Sequence, residues 1–464
     1  MIARESEMRR LEELYESKKF ECLVMYGRRR VGKTTILTSF AEKYKAIFFS
    51  AQKLNDALSL RNFSNVVQRY YGLKAYAPFQ SWEDAFLFLS DQAKKEHVCI
   101  IIDEFPFLAE GNPAIKSILQ HTIDHCWQND NIFLILCGSS IAFMENEVMG
   151  YKSPLYGRHT EKMEIKPFDY LDSSRFFPSY SVREKLLAYG ILGGVPRYMA
   201  EFDNEKTLEE NLESCVLREG RFLNEEPISL LKMELREPRV YNSILEAIAK
   251  GRNRMVEIAD YIAEDKTKCA TYLLSLQALR LIEKKTPCGE NGAGRKGIYE
   301  LTDNFFRFWY YFILPNESYY LLAGERQACR EIMEDATINT YMGLVFEQVC
   351  KQYLLRQIRK GTMPFIPHEI GKWWGNNPAK RQQDDIDILV LDKKKEKGIF
   401  CECKYKNRPV PMEEYEELLA AGDIFPYVKE KYFIFFSAFG FADSARKRAE
   451  KEGVMLVTGE DLYG

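Results

Sequence analysis

Short apolar runs alternate with longer amphipathic stretches over about the first 200 residues. Each run is apolar nearly throughout, with little alternation of apolar and polar positions, as expected for strands that are buried on both faces. The longer stretches between them are typical of helices that connect parallel strands. The pattern therefore predicts an α/β domain with a parallel sheet, whose strands lie at 21–26, 46–50, 98–102, 132–137 and 162–165.

The next part of the chain is mostly helical in pattern. A charged stretch at about 208–235 predicts a helical lid, and three stretches with helical period then precede two short apolar runs around a Gly-rich turn. Three helices followed by a hairpin predict a winged helix-turn-helix. The last segment opens with a helix and continues with strand-like runs at IDILVLD, GIFCECKY and KYFIFFSA, which predicts a second α/β domain.

The length of the chain agrees with several domains. Its 464 residues correspond to about three domains of ordinary size. The patterns above divide it into an α/β core over 1–205, a helical lid over 206–236, a winged helix-turn-helix over 237–315 and a terminal α/β domain over 316–464.

Composition and charge narrow the classes of protein. Hydrophobic residues make up 46% and charged residues 29%, as in globular proteins, and no apolar run approaches the roughly 18 to 20 residues that cross a bilayer. The charged start MIARESEMRRLEEL has no signal-peptide core, so we expect a cytoplasmic protein without a membrane partner. The eleven scattered cysteines indicate reduced thiols. A net charge of −3 means that any DNA contact must come from local patches.

A glycine-rich motif lies between the first predicted strand and the following helix. GRRRVGKT, residues 27–34, fits G-x-x-x-x-G-K-[ST] at every fixed position. Such a loop points backbone N–H groups inward and forms an anion site at the positive end of a helix. Lys33 would reach the β- and γ-phosphates of ATP, and Thr34 would offer its hydroxyl to Mg²⁺. The predicted nucleotide-binding residues here are Gly27, Arg28, Arg29, Arg30, Val31, Gly32, Lys33, Thr34 and Thr35.

The run VCIIIDEF supplies two acidic residues after a buried strand. Asp103 is a carboxylate that can hold Mg²⁺, and Glu104 is placed to polarise an attacking water as a general base. An Asp-Glu pair also ends many ordinary strands. Its combination with the glycine-rich motif of residues 27–34, a P-loop, predicts Mg²⁺-dependent ATP hydrolysis, with Lys33 and Glu104 as catalytic residues.

The P-loop with its arginines, IIDEF, FLILCGSS and YGRHTEKMEIKPF together resemble the archaeal-type ATPase family, within the STAND branch of the AAA+-like ATPases. The resemblance runs the length of the chain. It implies a polar sensor role for Ser139 and a catalytic arginine, Arg158, which would contact the γ-phosphate in cis or from a neighbouring subunit of a homo-oligomer. It also places Pro196, in GGVPRY, near the nucleotide base. The alternatives are a strand end at Ser139, a salt-bridge residue at Arg158 and a simple turn at Pro196.

The terminal domain resembles the PD-(D/E)XK nuclease fold and the DUF234-type domain that accompanies these ATPases. The resemblance rests on EIGKWWG, DID and ECKYKNRPV. It implies that Glu347, Asp387 and Glu402 hold a second Mg²⁺ or Mn²⁺ ion and that Lys404 assists the attacking water. Asp385 is a rival ligand, and Ile386 replaces the proline of the motif.

Two further patterns concern DNA and zinc. In the predicted winged helix, Lys266, Lys268 and Tyr272 begin the reader helix, Lys284 and Lys285 lie at the base of the hairpin, and Arg295 and Lys296 lie at its tip. These few charges leave two roles open, DNA binding and a spacer or regulatory role. For zinc, His121 and His125 are one helical turn apart but lack the glutamate of H-E-x-x-H. Cys401 and Cys403 face away from Glu402 on one strand, which argues for core packing rather than for a zinc site.

Two functions follow as hypotheses. The first is an ATPase whose nucleotide state controls a nucleic-acid-directed, nuclease-like terminal domain. The alternative is a STAND-type molecular switch or scaffold, in which ATP sets assembly and the terminal domain only binds its partner. Sustained hydrolysis that DNA stimulates would favour the first, and a single stoichiometric burst would favour the second.

Overall fold

The computed structural model describes residues 2–73, 77–290, 297–377 and 381–464. The chain forms two compact units, one of residues 1–167 with 195–197 and the other of residues 168–194 with 198–464. The four-part division made from the sequence stays a prediction.

The first unit alternates strands and helices along the chain. Its elements are α1 (Glu5–Glu16), β1 (Glu21–Tyr26), α2 (Lys33–Tyr44), β2 (Ile47–Ser50), α3 (Asp56–Tyr70), α4 (Trp82–Ala93), β3 (Val98–Asp103), α5 (Phe105–Gly111), α6 (Ile115–His125), β4 (Ile132–Gly138), α7 (Ile141–Phe143) and β5 (Glu161–Glu164).

The five strands of this unit form one parallel sheet in the order β2-β3-β4-β1-β5. All five predicted strands are confirmed. The first has the predicted bounds, the next three differ by one residue at one end, and the fifth is shifted by one residue. β4 lies between β1 and β3, so the carboxyl end of β4 lies beside the carboxyl ends of both neighbours. Ligand sites in open parallel sheets lie at this edge.

Both faces of this sheet are buried. Along β1, Cys22 and Val24 belong to one apolar cluster, while Leu23 and Met25 belong to a second cluster on the opposite face. Successive side chains of a strand point to opposite faces, so a sheet covered by helices on both sides needs apolar residues at every position. This requirement explains the continuous apolar runs in the sequence.

The second unit contains helices, a hairpin and a second sheet. Its elements are α8 (Tyr170–Ser174), α9 (Val182–Leu192), α10 (Pro196–Met199, which starts in the first unit), α11 (Leu208–Asn211), α12 (Phe222–Glu234), α13 (Pro238–Ala249), α14 (Met255–Tyr261), α15 (Lys266–Ala278), β6 (Ile282–Lys285), β7 (Ile298–Leu301), α16 (Asn304–Phe308), α17 (Glu317–Ala323), α18 (Glu325–Glu334), α19 (Ala336–Lys360), β8 (Glu369–Asn377), β9 (Gln382–Leu391), β10 (Lys397–Lys404), α20 (Met412–Ala421), β11 (Glu430–Ser437), α21 (Asp443–Glu452), β12 (Met455–Thr458) and α22 (Gly459–Tyr463).

The terminal sheet is mixed, in the order β12-β11-β10-β9-β8. β8, β9 and β10 pair antiparallel, whereas β10, β11 and β12 pair parallel. The strands predicted from the three apolar runs are confirmed as β9, β10 and β11. Helices α13, α14 and α15 and the antiparallel hairpin β6–β7 also lie where the sequence predicted them. The assignment of these elements to a winged helix stays a prediction.

The cysteines are free thiols, and all but Cys126 are buried. Cys401 and Cys403 are both buried on β10, which agrees with the predicted core packing. In the part of the chain that the structure describes, no helix combines the length and the apolar character needed to span a bilayer.

Candidate nucleotide-binding site

The glycine-rich loop connects β1 to α2 at the carboxyl edge of the first sheet. Gly27 has φ +154°, and a Cβ atom on it would lie 2.3 Å from the carbonyl oxygen of Ile165, so no other residue fits there without movement. Gly32, with φ +92°, precedes α2, and within the described part of the chain no side chain caps the start of that helix. The first backbone N–H groups of a helix without a cap are suited to an anion.

Lys33 lies inside this loop. Its side-chain ammonium donates hydrogen bonds to the carbonyl oxygens of Gly27 at 2.8 Å and Arg28 at 2.9 Å. The residue is 6% exposed, and burial lowers its pKa below the ordinary lysine value. Arg28 and Val31 are buried, while Arg29 and Arg30 are half-buried. The loop thus holds an ammonium group at its centre.

Thr34 and Asp103, the two predicted magnesium ligands of this unit, are in direct contact. The hydroxyl of Thr34 donates to Oδ2 of Asp103 at 2.9 Å, and Oδ1 of Asp103 accepts the backbone N–H of Glu104 at 3.1 Å. Asp103 is only 2% exposed. A hydroxyl and a carboxylate oxygen side by side are the oxygen donors that Mg²⁺ prefers, so the residues present fit this ion.

Glu104 adopts a left-handed backbone conformation, with φ 54° and ψ 45°, between β3 and α5. Its Oε2 accepts hydrogen bonds from the hydroxyl of Ser139 at 2.9 Å and from the backbone N–H of Ser139 at 3.2 Å. Ser139 follows β4, which the strand order places beside β3. This contact was not predicted, because it depends on that strand order.

Two other predicted residues flank the loop. A Cβ atom on Gly32 would lie 3.8 Å from Cγ of Pro196, so this proline lies beside the end of the loop. Thr35 is exposed in the first turn of α2, next to Thr34.

Arg158 forms a two-point ion pair within the chain. Its Nε and one terminal nitrogen donate to the two carboxylate oxygens of Asp124 on α6, at 2.9 and 2.7 Å, and its other terminal nitrogen donates to the carbonyl oxygen of Tyr156 at 2.9 Å. The guanidinium group lowers the pKa of Asp124. This geometry is that of the salt-bridge alternative.

Arg4 is a site residue that the sequence analysis missed. Its side chain is buried, and one terminal nitrogen donates to the carbonyl oxygens of Val31 at 2.9 Å and Lys166 at 2.8 Å. It therefore ties the loop to the segment that follows β5. A single arginine in a charged N-terminal stretch carries no local pattern that would single it out.

The terminal domain places its predicted residues around a lysine. Lys372 on β8 lies with its ammonium 3.0 Å from Glu347 of α19, 3.0 Å from Asp385 and 3.4 Å from Asp387, both of β9. On β10, Lys404 pairs with Glu402. Oδ2 of Asp387 also accepts the backbone N–H of Cys403 at 2.8 Å.

These carboxylates influence one another. Burial, followed by repulsion from Asp387, raises the pKa of Glu347 to about 8, and the same two causes raise the pKa of Glu402 to about 7. Burial alone would lower the pKa of Lys372, but the carboxylates of Glu347, Asp387 and Asp385 raise it above the ordinary value. The group is thus a compact set of interacting charges.

The predicted second metal site does not fit this arrangement. Within residues 2–73, 77–290, 297–377 and 381–464, no three His, Cys, Asp or Glu side chains are arranged to hold a metal ion. Lys372 lies among the predicted ligands instead. The same finding applies to His121 and His125, whose rings are 4.4 Å apart on α6 without a third ligand in the described residues.

The cations of the predicted DNA reader are partly neutralised. Lys268 pairs with Glu264 at 3.1 Å, Lys285 pairs with Glu300 at 2.5 Å, and the hydroxyl of Tyr272 donates to Glu237 at 2.9 Å. Arg295 and Lys296, predicted for the hairpin tip, lie outside the described residues.

Comparisons with known proteins agree with this architecture. A family described as an ATPase domain predominantly from Archaea matches residues 1–202, and the DUF234 family, described as archaeal and bacterial proteins of unknown function, matches residues 309–417. An uncharacterised protein of Methanocaldococcus jannaschii is 34% identical over 407 residues, which cover 88% of this chain and 88% of that protein. A second one from the same organism is 42% identical over 57 residues, 12% of this chain and 55% of that protein.

Among solved structures, a Walker-type ATPase of Pyrococcus abyssi has a TM-score of 0.53 at 22% identity, and the match covers 67% of this chain and 96% of that one. At this identity the likeness concerns the fold. The long match to the Methanocaldococcus protein and the two domain matches together show that the chain belongs to the family of archaeal-type P-loop ATPases that join this ATPase domain to a DUF234 domain.

Proposed function

We propose that the chain binds ATP with Mg²⁺ at the loop of residues 27–34 and hydrolyses it. The observation that carries the proposal is the contact between Thr34 and Asp103 next to the loop that holds the buried ammonium of Lys33, which interacts electrostatically with Asp103. A cation and two oxygen donors thus lie together where a helix without a side-chain cap begins. A triphosphate with its metal ion needs this combination of charges.

Each group of the site has a separate role in binding the nucleotide and its metal ion. Backbone N–H groups of the loop and of the start of α2 bind the phosphate oxygens, and Lys33 exchanges its two carbonyl partners for the β- and γ-phosphates. Thr34 and Asp103 hold Mg²⁺, which would offset the phosphate charge when bound. Arg4 keeps the loop in shape through the carbonyl group of Val31.

Glu104 acts on the attacking water. Its carboxylate orients the water and accepts a proton as a general base. Ser139 positions that carboxylate through the two hydrogen bonds at 2.9 and 3.2 Å. The left-handed backbone at Glu104 fixes the direction in which the side chain leaves β3.

Two variants test this proposal. Lys33→Ala is expected to lose nucleotide binding, whereas Glu104→Gln is expected to bind nucleotide and to lose hydrolysis by a factor of about 10² to 10⁴. The matched control is Lys43→Ala, which removes an exposed lysine of the same helix that pairs with Glu12 at 2.7 Å. Nucleotide binding by Lys33→Ala at wild-type affinity would show that the assignment is wrong.

The role of Arg158 as a catalytic arginine, in cis or from a neighbouring subunit, stays a proposal. Its two-point pair with Asp124 means that it must leave this partner to reach a phosphate. A decrease in the turnover number of Arg158→Ala without a change in nucleotide affinity would support the catalytic role. A loss of thermal stability with unchanged turnover would support the salt bridge.

For the terminal domain, the contacts favour the switch hypothesis, with a domain that binds a partner and does not cleave. Lys372 pairs with Glu347 and Asp387, two of the carboxylates that a nuclease would need for its metal. Incubation of plasmid DNA with Mg²⁺ or Mn²⁺ tests this, beside Glu402→Ala. Nicking by the wild type that the variant lacks would restore the nuclease hypothesis.

The kinetics of ATP use separate the two functions of the whole chain. If nucleotide state sets assembly, one equivalent of ATP is hydrolysed in a burst and turnover then slows. Continuous hydrolysis that duplex DNA accelerates would contradict the switch and support a nucleic-acid-directed enzyme.

A further inference from the structure

Lys372 lies at the centre of the terminal carboxylates. Its ammonium is within 3.4 Å of oxygens from Glu347, Asp385 and Asp387. Glu347 lies on α19, and Asp385 and Asp387 lie on β9. Glu347 and Asp387 are two of the three ligands predicted for a divalent ion. One ammonium group therefore supplies the positive charge that a metal ion would supply in this place.

A β-bulge aims Lys372 at these acids. Gly371 pairs with Leu389 and Trp373 pairs with Ile386, so Lys372 alone faces two residues of β9, which are Asp387 and Ile388. The extra residue of this bulge belongs to β9, and a bulge increases the local twist of the strand pair. The register of β8 and β9 thus places Lys372 opposite Asp387.

A loop from another part of the unit is fastened to this strand. Residues 286–289, which follow β6 and which we term the Cys288 loop, approach β8 so that the backbone N–H of Cys288 donates to the carbonyl oxygen of Lys372 at 2.9 Å. The side chain of Cys288 is buried in the core of the terminal domain and contacts the carbonyl oxygen of Leu389 at 3.3 Å.

The neighbouring Gly289 adds two contacts to the same domain. Its N–H donates to Oε1 of Glu369 at 2.7 Å, and its carbonyl oxygen accepts from the ammonium of Lys395 at 2.7 Å. The Cys288 loop therefore contacts β8 at Glu369 and Lys372, and it also contacts β9 at Leu389 and the β9–β10 turn at Lys395.

We propose that Lys372 is the resident counter-cation of the terminal carboxylates, in place of a divalent metal ion, and that the Cys288 loop holds it there. Three carboxylates in a partly buried site repel one another and need a cation nearby. A lysine of the same chain is present at a high effective concentration, so a free ion must displace it. Movement of the Cys288 loop would loosen β8 and open the acids to a metal.

Binding of Mn²⁺ to the full-length chain tests the proposal. The titration is followed by electron paramagnetic resonance, without nucleotide and in an Asp103→Asn background, so that the P-loop site contributes no ligand carboxylate. The Asp103→Asn protein, which is the starting protein for all variants of this experiment, is expected to bind no Mn²⁺ ion tightly. Lys372→Met is expected to gain one bound ion per chain, with an affinity at least about tenfold higher.

Two further variants complete the experiment. Glu369→Ala combined with Lys395→Met removes the side-chain contacts of Gly289 but no acid of the cluster, and an intermediate gain in Mn²⁺ affinity is expected. Lys429→Met, which removes an exposed lysine paired with Glu396 at 2.7 Å, is the control and should match the starting protein.

Tight Mn²⁺ binding by the starting protein that Asp387→Asn abolishes would overturn the role of Lys372, whether or not Lys372→Met folds. A folded Lys372→Met that gains no Mn²⁺ binding would overturn it as well. An unchanged affinity in the Glu369 and Lys395 double variant would overturn the role of the Cys288 loop. None of these outcomes depends on ATP hydrolysis, so the proposal fails or holds independently of the proposed ATPase function.

Discussion

Gly27 shows how one residue sets the shape of the candidate nucleotide site. The backbone of β1 turns at this glycine, and the space that a side chain would need is filled by the carbonyl oxygen of Ile165. The contact ties the start of the loop to the segment that follows β5. The loop geometry therefore depends on a close approach of two backbone segments.

We expect Gly27→Ala to damage the loop. A Cβ atom 2.3 Å from a backbone oxygen forces one of the two segments to move. Strain of this kind costs on the order of 1–3 kcal/mol, and the displaced amides should weaken nucleotide binding by about tenfold or more. Urea unfolding and binding of a fluorescent ATP analogue measure the two effects.

Gly72→Ala is the matched control for this variant. Gly72 also has a positive φ, +65°, but has no neighbour within 4 Å among the described residues. The control also places alanine at a positive φ but without the clash, and it should leave nucleotide affinity unchanged. Equal affinities for Gly27→Ala and the wild type would contradict the argument.

His97 makes the stability of the first unit depend on pH. Its ring packs against Tyr15 with centroids 4.3 Å apart, and its Nε2 is buried without a hydrogen-bond partner among the described residues. Burial, together with the charge of Lys18, lowers the pKa of His97 below 6.5. The unfolded chain therefore binds a proton more readily, and stability present above pH 6.5 is lost as the pH falls through the folded pKa.

We expect His97→Phe, which keeps the ring and removes the titration, to lose less stability than the wild type between about pH 7 and pH 5. Thermal or urea unfolding over this range measures the difference. His121→Phe, at an exposed position, serves as the control for the loss of an imidazole. Parallel stability curves for His97→Phe and wild type would contradict this prediction.

Among single residues, those that belong to a contiguous motif were predictable from the sequence. Lys33, Thr34 and Asp103 were identified because the P-loop and the strand-ending acid have fixed local spacing, and the structure brings them together. Arg4 and Lys372 were missed because their partners lie far away in the chain. Neither arginine nor lysine in a charged stretch has a local signature of such contacts.

Helices and strands depend on patterns that span several residues. The buried strands of the first sheet were predicted within about one residue, because burial on both faces requires continuous apolar runs. β8 and β12 were not predicted. β8 is mostly half-exposed, with glycine and asparagine among its residues, and β12 has only four residues. Pairing within the sheet, rather than local preference, makes these segments strands.

Gly343 allows a test of helix propensity within α19. Among the residues that the structure describes, no atom lies within 4 Å of a Cβ added at Gly343, and its φ is not positive. We expect Gly343→Ala to raise the free energy of unfolding by about 0.5–1 kcal/mol, because alanine loses less conformational entropy in a helix. Urea unfolding measures this effect.

Gly361→Ala, at the end of the same helix, should have the opposite effect. Gly361 has φ +71° and no neighbour within 4 Å in the described part of the chain, so alanine there is strained without any clash. A loss of about 1 kcal/mol is expected. The same sign for both variants would show that the helix does not respond as argued.

The charge of the whole molecule bears on nucleic acid. The net charge is −3, and Lys268 and Lys285, two of the predicted reader cations, pair with acids. Binding to a DNA backbone gains its free energy from cations that replace counterions on the phosphates. Lys268 and Lys285 must give up their acidic partners to take part in this exchange, which reduces the free energy that they contribute.

We therefore expect the full-length chain to bind duplex DNA weakly at physiological salt, with a dissociation constant no tighter than about 10⁻⁶ M. Fluorescence anisotropy of a labelled duplex, measured over a range of salt concentrations with and without ATP, gives the affinity and its salt dependence. Nanomolar affinity with a steep salt dependence would contradict the prediction and support DNA binding by the predicted winged helix.

The division of the chain into units was only partly accessible from the sequence. The α/β character of the first part and the mixed second sheet follow from local patterns. The assignment of residues 195–197 to the first unit does not, since it depends on the position of Pro196 beside Gly32. A domain boundary predicted from composition does not reveal that three residues, 195–197, pack with an earlier part of the chain.

The left-handed backbone at Glu104 sets the stability of the first unit against its proposed activity. A residue with a Cβ atom in this conformation costs about 1 kcal/mol that glycine would not. A chain selected in the laboratory for thermal resistance alone would therefore tend to replace Glu104 with glycine or asparagine. Such a chain would lose the backbone strain together with the two hydrogen bonds from Ser139, and it would lack the carboxylate on which ATP hydrolysis is proposed to depend.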